Sequence, residues 1–485
     1  MSRNEKYEAI IGLEVHAQLL TETKAFCGCS TKFGDLPNTN TCPVCLGHPG
    51  TLPVLNKKMV EYAIKMGLAT NCKIRQSSIF ARKNYFYEDL PKGYQISQYD
   101  QPICYDGYIE IELSENTTKR IGITRIHMEE DTGKSIHDLD IDTLLDFNRC
   151  GVPLIEIVSE PDIRSAEEAY KYLEQLRQIV LYLGISTGNM EEGALRCDAN
   201  ISVRLKGSDK FGTKTEVKNL NSFRNVQKAI DYEIKRQIEV LENGGKINQE
   251  TRLWDAAKHE TKIMRTKEMA HDYRYFPEPD LVEVFVDDTW KNDVFSSIPE
   301  LPMAKKKRLI QHYKIPNYDA TILINDVNLA EFYEATVNEL NEKTEQNFKL
   351  TSNWIQTEVL RVLSEQNIEI KQLNLSPKNL AELVELFSSE KISSRIAKDI
   401  FPEILQTGKS PNEIVKEKNL IQVSDESLIE EIVKKIIADN PENVEKYKNG
   451  KSNLFGFFVG QTMKATQGKA NPKIINKYVE KYLNS

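Results

Sequence analysis

From Tyr7 to about Asp293, hydrophobic and polar positions mostly alternate in short runs broken by Gly, Pro and Asn. That period of two predicts strands. The clearest run is IIGLEVHAQL, where Ile11, Leu13, Val15, Ala17 and Leu19 face a core. Gly12, Glu14, His16 and Gln18 then point the other way. Two segments switch to a helical period. After Ser165, which forms a capping box with Glu168, apolar residues recur at Ala169, Tyr172, Leu173, Leu176, Ile179, Val180 and Leu183, and Gly184 suits the end. A second helix is predicted from about Asn221 to Glu242, with Phe223, Val226, Ile230, Ile234 and Leu241 on one stripe. Strands with inserted helices predict a large α+β domain. The texture changes near residue 294, where SSIPELPMAKKKRLI introduces two prolines and a basic cluster, and helical patterns follow. Ser376-Pro377 is a helix start, and QTGKSPNE marks a second break. The expected division is 1–293, 294–405 and 406–485, the last two mainly helical.

The polar faces of the strands carry the candidate chemistry. Arg125, His127, Glu129 and Asp131 share one face of RIHMEED. Arg196, Asp198, Asn200 and Ser202 share one face of LRCDANISV, and Glu216 and Lys218 one face of TEVKNLNSF. With Glu14 and His16, four strands each offer carboxylates beside Arg, Lys, Asn or His. One such face is ordinary for a solvated sheet. Four converging faces would form an acidic cavity suited to magnesium or another hard cation, with the basic residues suited to a polyphosphate. The run ARKNYFYEDLPKGYQISQYDQP adds Lys83 for a phosphate and Tyr85, Phe86, Tyr87, Tyr94 and Tyr99 as stacking or core residues. The tripeptide Gly-Lys-Ser occurs at 133–135, 408–410 and 450–452, but Met128, Glu403 and Glu445 stand where a phosphate-binding loop needs glycine. No G-x-S-x-G elbow is present.

Cysteine usage changes the picture locally. Of eight cysteines, Cys27, Cys29, Cys42 and Cys45 fall within nineteen residues. Four thiolates close a tetrahedral zinc shell with no open position, which makes a structural site. The single residue between Cys27 and Cys29 is shorter than usual, His48 is an alternative ligand, and free cysteines are the plainer reading. The segment between the pairs is poor in apolar residues, so a metal would supply folding energy that burial cannot. Composition, 40% hydrophobic and 28% charged, fits a folded soluble chain. The start lacks a signal-like apolar core and no stretch is long enough for a membrane span, so the expected location is cytoplasmic, a mature organellar form included. Net charge is −8, yet the stretch from Lys446 to Ser485 carries eight lysines against Glu480 alone. A basic end on an acidic body suits a local polyanion contact, or is a solvated face.

Ten ordered segments, among them IGLEVHAQL, RKNYFYEDLPKGYQISQYDQP, GITRIHMEEDTGK, GVPLIEIVSEPDIRS, MEEGALRCDANIS, DYRYFPEPDL and GFFVGQTMKATQGKANP, together resemble the B component of the aspartyl/glutamyl-tRNA(Asn/Gln) amidotransferases over nearly the whole chain. The resemblance implies a cradle-shaped α+β catalytic domain on a mixed or antiparallel sheet, then a helical domain and a helical tail. It implies a carbon–nitrogen ligase that uses ATP to phosphorylate the side-chain carboxylate of glutamate or aspartate mischarged on tRNA(Gln) or tRNA(Asn). Ammonia from a glutaminase partner, the A component, then displaces phosphate, and a small C component braces the two. On this resemblance Glu14, His16, Glu129, Asp198 and Glu216 take catalytic and magnesium (or manganese) roles. Lys83, Arg125, Asn200 and Lys218 are assigned to ATP or the acyl phosphate, Cys27, Cys29, Cys42 and Cys45 to zinc, and Lys464, Lys469, Lys473 and Lys477 to tRNA. Two rival readings are a non-catalytic zinc protein that binds RNA through its tail, and a metal-dependent hydrolase with no need of ATP.

Overall fold

The computed structural model describes residues 6–114, 117–136, 140–266, 273–420, 426–466 and 470–484. It divides into two compact units, Met1–Pro302 and Met303–Ser485. In the first, nine strands form one sheet in the order Glu260–Thr266, Glu250–Asp255, Thr215–Leu220, Leu195–Leu205, Tyr7–Gln18, Pro153–Ser159, Thr117–Glu130, Cys104–Ser114, Lys73–Ile74. Neighbours run antiparallel except Thr215–Leu220 with Glu250–Asp255, so the sheet is mixed. Tyr7–Gln18 occupies the middle, paired from Tyr7 to Ala17 with Leu195–Leu205 and from Glu14 to Gln18 with Pro153–Ser159. Ile11, Leu13, Val15 and Ala17 are buried on one of its faces, as the alternation predicts.

That buried face packs against the helices Lys57–Ala69, Ala166–Tyr182 and Phe223–Glu242. Gly67 lets the first of these approach the sheet: a Cβ there would lie 2.4 Å from Cys104 Sγ. Ser165 caps the second helix by accepting from Glu168 N at 3.1 Å. The expected reciprocal bond is shifted by one residue, since Glu168 Oε2 accepts from Arg164 N at 2.8 Å and from Lys119 Nζ at 2.7 Å. The third helix starts at Phe223 and buries Glu233 and Gln237 beside Val226, Ala229, Ile230 and Ile238. The apolar stripe alone does not anticipate this. Glu233 is buried because Arg236 forms a two-pronged ion pair with it, Nε–Oε2 3.0 Å, and Gln237 Nε2 at 2.9 Å and Thr261 Oγ1 at 3.1 Å also donate to it.

The two Glu-Pro-Asp tripeptides act as staples. Asp162 Oδ2 accepts from Gly122 N at 2.9 Å, and Glu160 Oε1 from Thr124 Oγ1 at 2.7 Å. In the second copy Glu278 forms a two-pronged pair with Arg82, Nε–Oε2 2.7 Å and Nη2–Oε1 2.9 Å. This ties a small sheet of Phe276–Pro277, Ala81–Asn84 and Tyr94–Ser97 together beside the main one.

Among the described residues the second unit contains helices and no strand. One hydrophobic core gathers residues from Leu309 to Val415, and a smaller one residues from Ile429 to Leu483. Ser376 caps Pro377–Ser388 by accepting from Asn379 N at 3.1 Å, with proline in the first turn. No helix among the described residues is long and apolar enough to cross a membrane.

Candidate active site and cysteine centre

The polar face of the sheet's central strands forms the floor of a cavity of about 440 Å³. Strand register explains who meets whom. His16 lies opposite Arg196 on one side and Glu156 on the other, and Glu156 lies opposite His127. One step along, Glu14 lies opposite Asp198. Asn200 pairs with both Gly12 and Glu216. Lys83, Tyr85, Gln95, Tyr273 and Tyr275 line the same cavity. Tyr99 stacks on Tyr275 with ring centroids 4.2 Å apart, and Lys83 Nζ lies 5.0 Å from the Tyr273 ring centre.

Two acidic groups share this cavity. In the first, the ligand atoms of His16, Glu129 and Glu156 lie within 4.8 Å of one another. His16 Nε2 is 3.3 Å from Glu129 Oε1 and 3.3 Å from Glu156 Oε2, and His127 Nε2 is 3.3 Å from the same Glu156 oxygen. In the second, Glu14, Asp198 and Glu216 offer oxygens within 4.8 Å of one another. Lys218 Nζ bridges Asp198 at 2.5 Å and Glu216 at 3.1 Å, and Asn200 Nδ2 donates to Glu14 Oε1 at 2.9 Å. The five acid-and-histidine residues singled out from sequence therefore fall into two groups within one cavity, and Glu156 completes the first. Asn200 supports Glu14 from outside the cavity lining, whereas Arg125 lines it with no ion pair among the described residues.

The electrostatics follow from this packing. Burial disfavours the His16 imidazolium, but Glu156 and Glu129 outweigh it and raise His16 to about 10. Burial likewise opposes charge on Glu129 and Glu156, yet the two histidines hold both carboxyls below the usual range. Glu14 moves the other way, raised by burial and then by Glu156, with Lys218 opposing. Burial opposes Lys83 and Lys218, but Glu129 in the first case and Asp198 in the second push them above the usual lysine range. With neutral histidines the first group carries −2. The second, three carboxylates and Lys218, also carries −2. Each matches the charge of one divalent cation, and oxygen-rich donor sets suit magnesium or manganese. Such an ion at the first group would exchange for the His16 proton. Buried His127 Nδ1, Gln98 Nε2 and Arg196 Nε have no hydrogen-bond partner among the described residues, and their side chains border this cavity.

Reading the sequence alone passes over Glu156, and it places His127 on the candidate face of RIHMEED without assigning it an individual role. A signal for Glu156 is nevertheless present: it is the lone charge in the strand PLIEIVS, apolar on both faces. Such a carboxylate is buried only with partners. Asp131, on the RIHMEED face, is instead held by Arg196 Nη2 at 2.8 Å and Gln18 Nε2 at 2.6 Å.

The sulfur atoms of Cys27, Cys29, Cys42 and Cys45 also lie within 4.8 Å of one another, and no disulfide joins them. Cys42 and Cys45 Sγ are 3.9 Å apart. A tetrahedron with metal–sulfur bonds of about 2.3 Å has edges of roughly 3.8 Å, so the donors fit a four-thiolate metal centre. His48 is not part of this group. The loop between the pairs leans on the turn at 145–148 through side-chain hydrogen bonds. Phe147 N donates to Asn38 Oδ1 at 2.8 Å and Asn40 N to Asn148 Oδ1 at 2.8 Å. Phe33 and Leu36 within it are exposed.

Comparison with known proteins decides the family. The catalytic-domain family described as GatB/GatE matches residues 9–292, and the GatB domain matches 331–483. The B component of the aspartyl/glutamyl-tRNA(Asn/Gln) amidotransferase of Thermodesulfovibrio yellowstonii is 57% identical over 478 residues, 99% of each chain. Those of Caldicellulosiruptor saccharolyticus and Chlorobium phaeobacteroides are 56% and 55% identical, again over 99% of each chain. The chain belongs to the GatB family of amidotransferase components.

In this GatB-family chain three of the tail lysines are already engaged. Lys473 pairs with Glu390, Lys477 Nζ with Glu426 at 3.0 Å, and Lys481 Nζ with Glu430 at 3.1 Å. Lys464 is exposed, with no ion pair among the described residues. Lys469 and the first two residues of the 271–281 segment lie outside the described residues.

Proposed function

We propose that this protein activates the side-chain carboxylate of glutamate or aspartate mischarged on tRNA(Gln) or tRNA(Asn), using ATP. The observation that carries the reading is the pair of acidic groups, each with three ligand atoms within 4.8 Å of one another, sharing one cavity with Lys83, Arg125 and Lys218. A carboxylate resists attack by an amine because it offers no leaving group. Its oxygen attacks the γ-phosphorus of ATP, the bond to the β-phosphate oxygen breaks, and ADP departs. Ammonia then attacks the acyl carbon, phosphate leaves with the former carboxylate oxygen, and a proton is lost to give the amide.

In this scheme His16, Glu129 and Glu156 would hold one magnesium or manganese ion, and Glu14, Asp198 and Glu216 would hold a second. Bound there, such ions would supply positive charge to neutralise phosphate oxygens. Lys218 keeps Asp198 and Glu216 together and presents a cation to the phosphates. Arg125 from the main sheet and Lys83 from the small sheet offer positive charge to the same cavity, Lys83 beside the Tyr273 ring. Asn200 orients Glu14.

Ammonia comes from a partner glutaminase, the A component, because no nucleophile–base pair suited to glutamine hydrolysis is evident in the sequence. The C component braces the complex. The four cysteines hold a structural zinc ion, and the basic tail contacts the tRNA backbone. Mixing this chain with its partner components, glutamine, ATP and Glu-tRNA(Gln) should yield ADP and Gln-tRNA(Gln) together. Amide formation without ATP, or metal-dependent hydrolysis in its place, would overturn the reading.

A further inference from the structure

Lys24 is fully buried, an unusual position for a residue with a charged head. Its ammonium donates to Asn40 O at 2.6 Å and Phe147 O at 3.4 Å, and lies 3.6 Å from Cys45 Sγ. Among the described residues no carboxylate pairs with it. The nearby acid Glu130 is taken by Lys92, and Ile96 N donates to the same carboxylate. Two carbonyl dipoles do not balance a buried cation, and a buried charge calls for an opposite charge in contact. The one group touching Nζ that can supply it is the Cys45 sulfur as thiolate. The backbone reinforces the placement: Lys24 N donates to Cys29 O at 3.0 Å, so the residue joins both cysteine pairs.

We propose that Lys24 is the built-in counter-charge of the cysteine centre. It donates an N–H···S hydrogen bond to Cys45 and offsets one of the two net negative charges of a zinc ion held by four thiolates. The inference rests on the zinc reading above. Lys24 is a positioning residue for the centre. Its carbonyl contacts clamp the loop at Asn40 to the turn at Phe147, and its charge makes the tetrathiolate stable away from water. Hydrogen bonds of this outer kind orient ligands and tune the metal.

The test compares wild type, K24R and K24M in the full chain. Zinc affinity is read by competition with a chromogenic chelator, and cobalt(II) substitution gives the sulfur-to-metal charge-transfer band. K24M should bind zinc about 10–100-fold more weakly, the usual effect of losing such a partner. Its cobalt band should move to longer wavelength, because a thiolate without its hydrogen bond gives up charge more easily. K24R, which keeps the cation, should stay near wild type in both. A merely structural clamp would not move the band. If K24M does not fold, K24Q keeps a neutral donor and should show a smaller shift in the same sense. Wild-type protein that takes up neither zinc nor cobalt would sink the zinc reading itself. Wild-type protein that binds both, with K24M or K24Q unchanged in affinity and band, would overturn the role of Lys24 alone.

Discussion

Replacing Glu156 by Gln removes one negative charge while keeping size and one acceptor oxygen. Glu156 Oε2 touches His16 Nε2 and His127 Nε2 at 3.3 Å each, with its side chain only 10% exposed. Unit charges at such a distance interact by about 5 kcal/mol at an effective dielectric of about 20, a gross attraction that desolvation reduces. Removing one partner of a buried pair costs about 3–5 kcal/mol. If that loss falls on a bound cation, affinity for magnesium or manganese drops by roughly 10²- to 4 × 10³-fold, since each 1.4 kcal/mol is about tenfold. The net charge of the first group falls from −2 to −1, so the loss should be partly recovered at high metal concentration. The assay is ATP-dependent amide formation by the reconstituted complex, titrated with Mg²⁺ or Mn²⁺, beside a tRNA-binding measurement. E156Q should shift the metal midpoint upward by at least tenfold and leave tRNA affinity within about twofold, since the proposed phosphate contacts are those of the basic tail. A wild-type midpoint with wild-type turnover would refute the reasoning that Glu156 is a ligand.

R82M leaves the fully buried Glu278 carboxylate without its two-pronged partner. It should lower stability by about 3–5 kcal/mol in chemical denaturation, and a loss under about 1 kcal/mol would contradict the staple. Burial opposes ionisation of Glu334, yet Arg308 and Lys305 hold its carboxyl below the usual range. The stabilisation is therefore present above the unfolded-state value and lost as pH falls through the lower folded one. Thermal melts should show wild type losing more stability than E334Q between neutral and acid pH. E390Q frees Lys473 from its pair. It should tighten tRNA binding and steepen the salt dependence by about one phosphate contact, and an unchanged slope would remove Lys473 from the tRNA-binding surface.

Strand faces were legible because period two assigns sides without ambiguity. Ile11, Leu13, Val15 and Ala17 are buried as their alternation requires, and Glu14 and His16 share the opposite face. Register across strands was not legible, since no local signal states that His16 meets Glu156 rather than another residue of the Pro153–Ser159 strand. For that reason the acidic residues read as one set, where pairing sorts them into two. Glu156 escaped notice because its strand is apolar on both faces. Buried Glu233 and Gln237 escaped because a helical stripe counts apolar residues and overlooks polar ones that find partners in the fold, Arg236 and Thr261 for Glu233 and Ile201 O for Gln237. The cysteine group was readable from spacing, whereas Lys24 was invisible without the fold that buries it. The lysine count described the tail's charge but not the carboxylates, one in a turn and two on another helix, that claim Lys473, Lys477 and Lys481.

The central claim is that both acidic groups bind metal beside the triphosphate. Crystals of the complex with Mn²⁺ and a non-hydrolysable ATP analogue, measured for anomalous scattering, test it most directly. One manganese peak should lie among His16, Glu129 and Glu156, another among Glu14, Asp198 and Glu216, with phosphate density within reach of Lys218 and Arg125. An analogue bound elsewhere, with neither acidic group carrying a peak, would contradict the account.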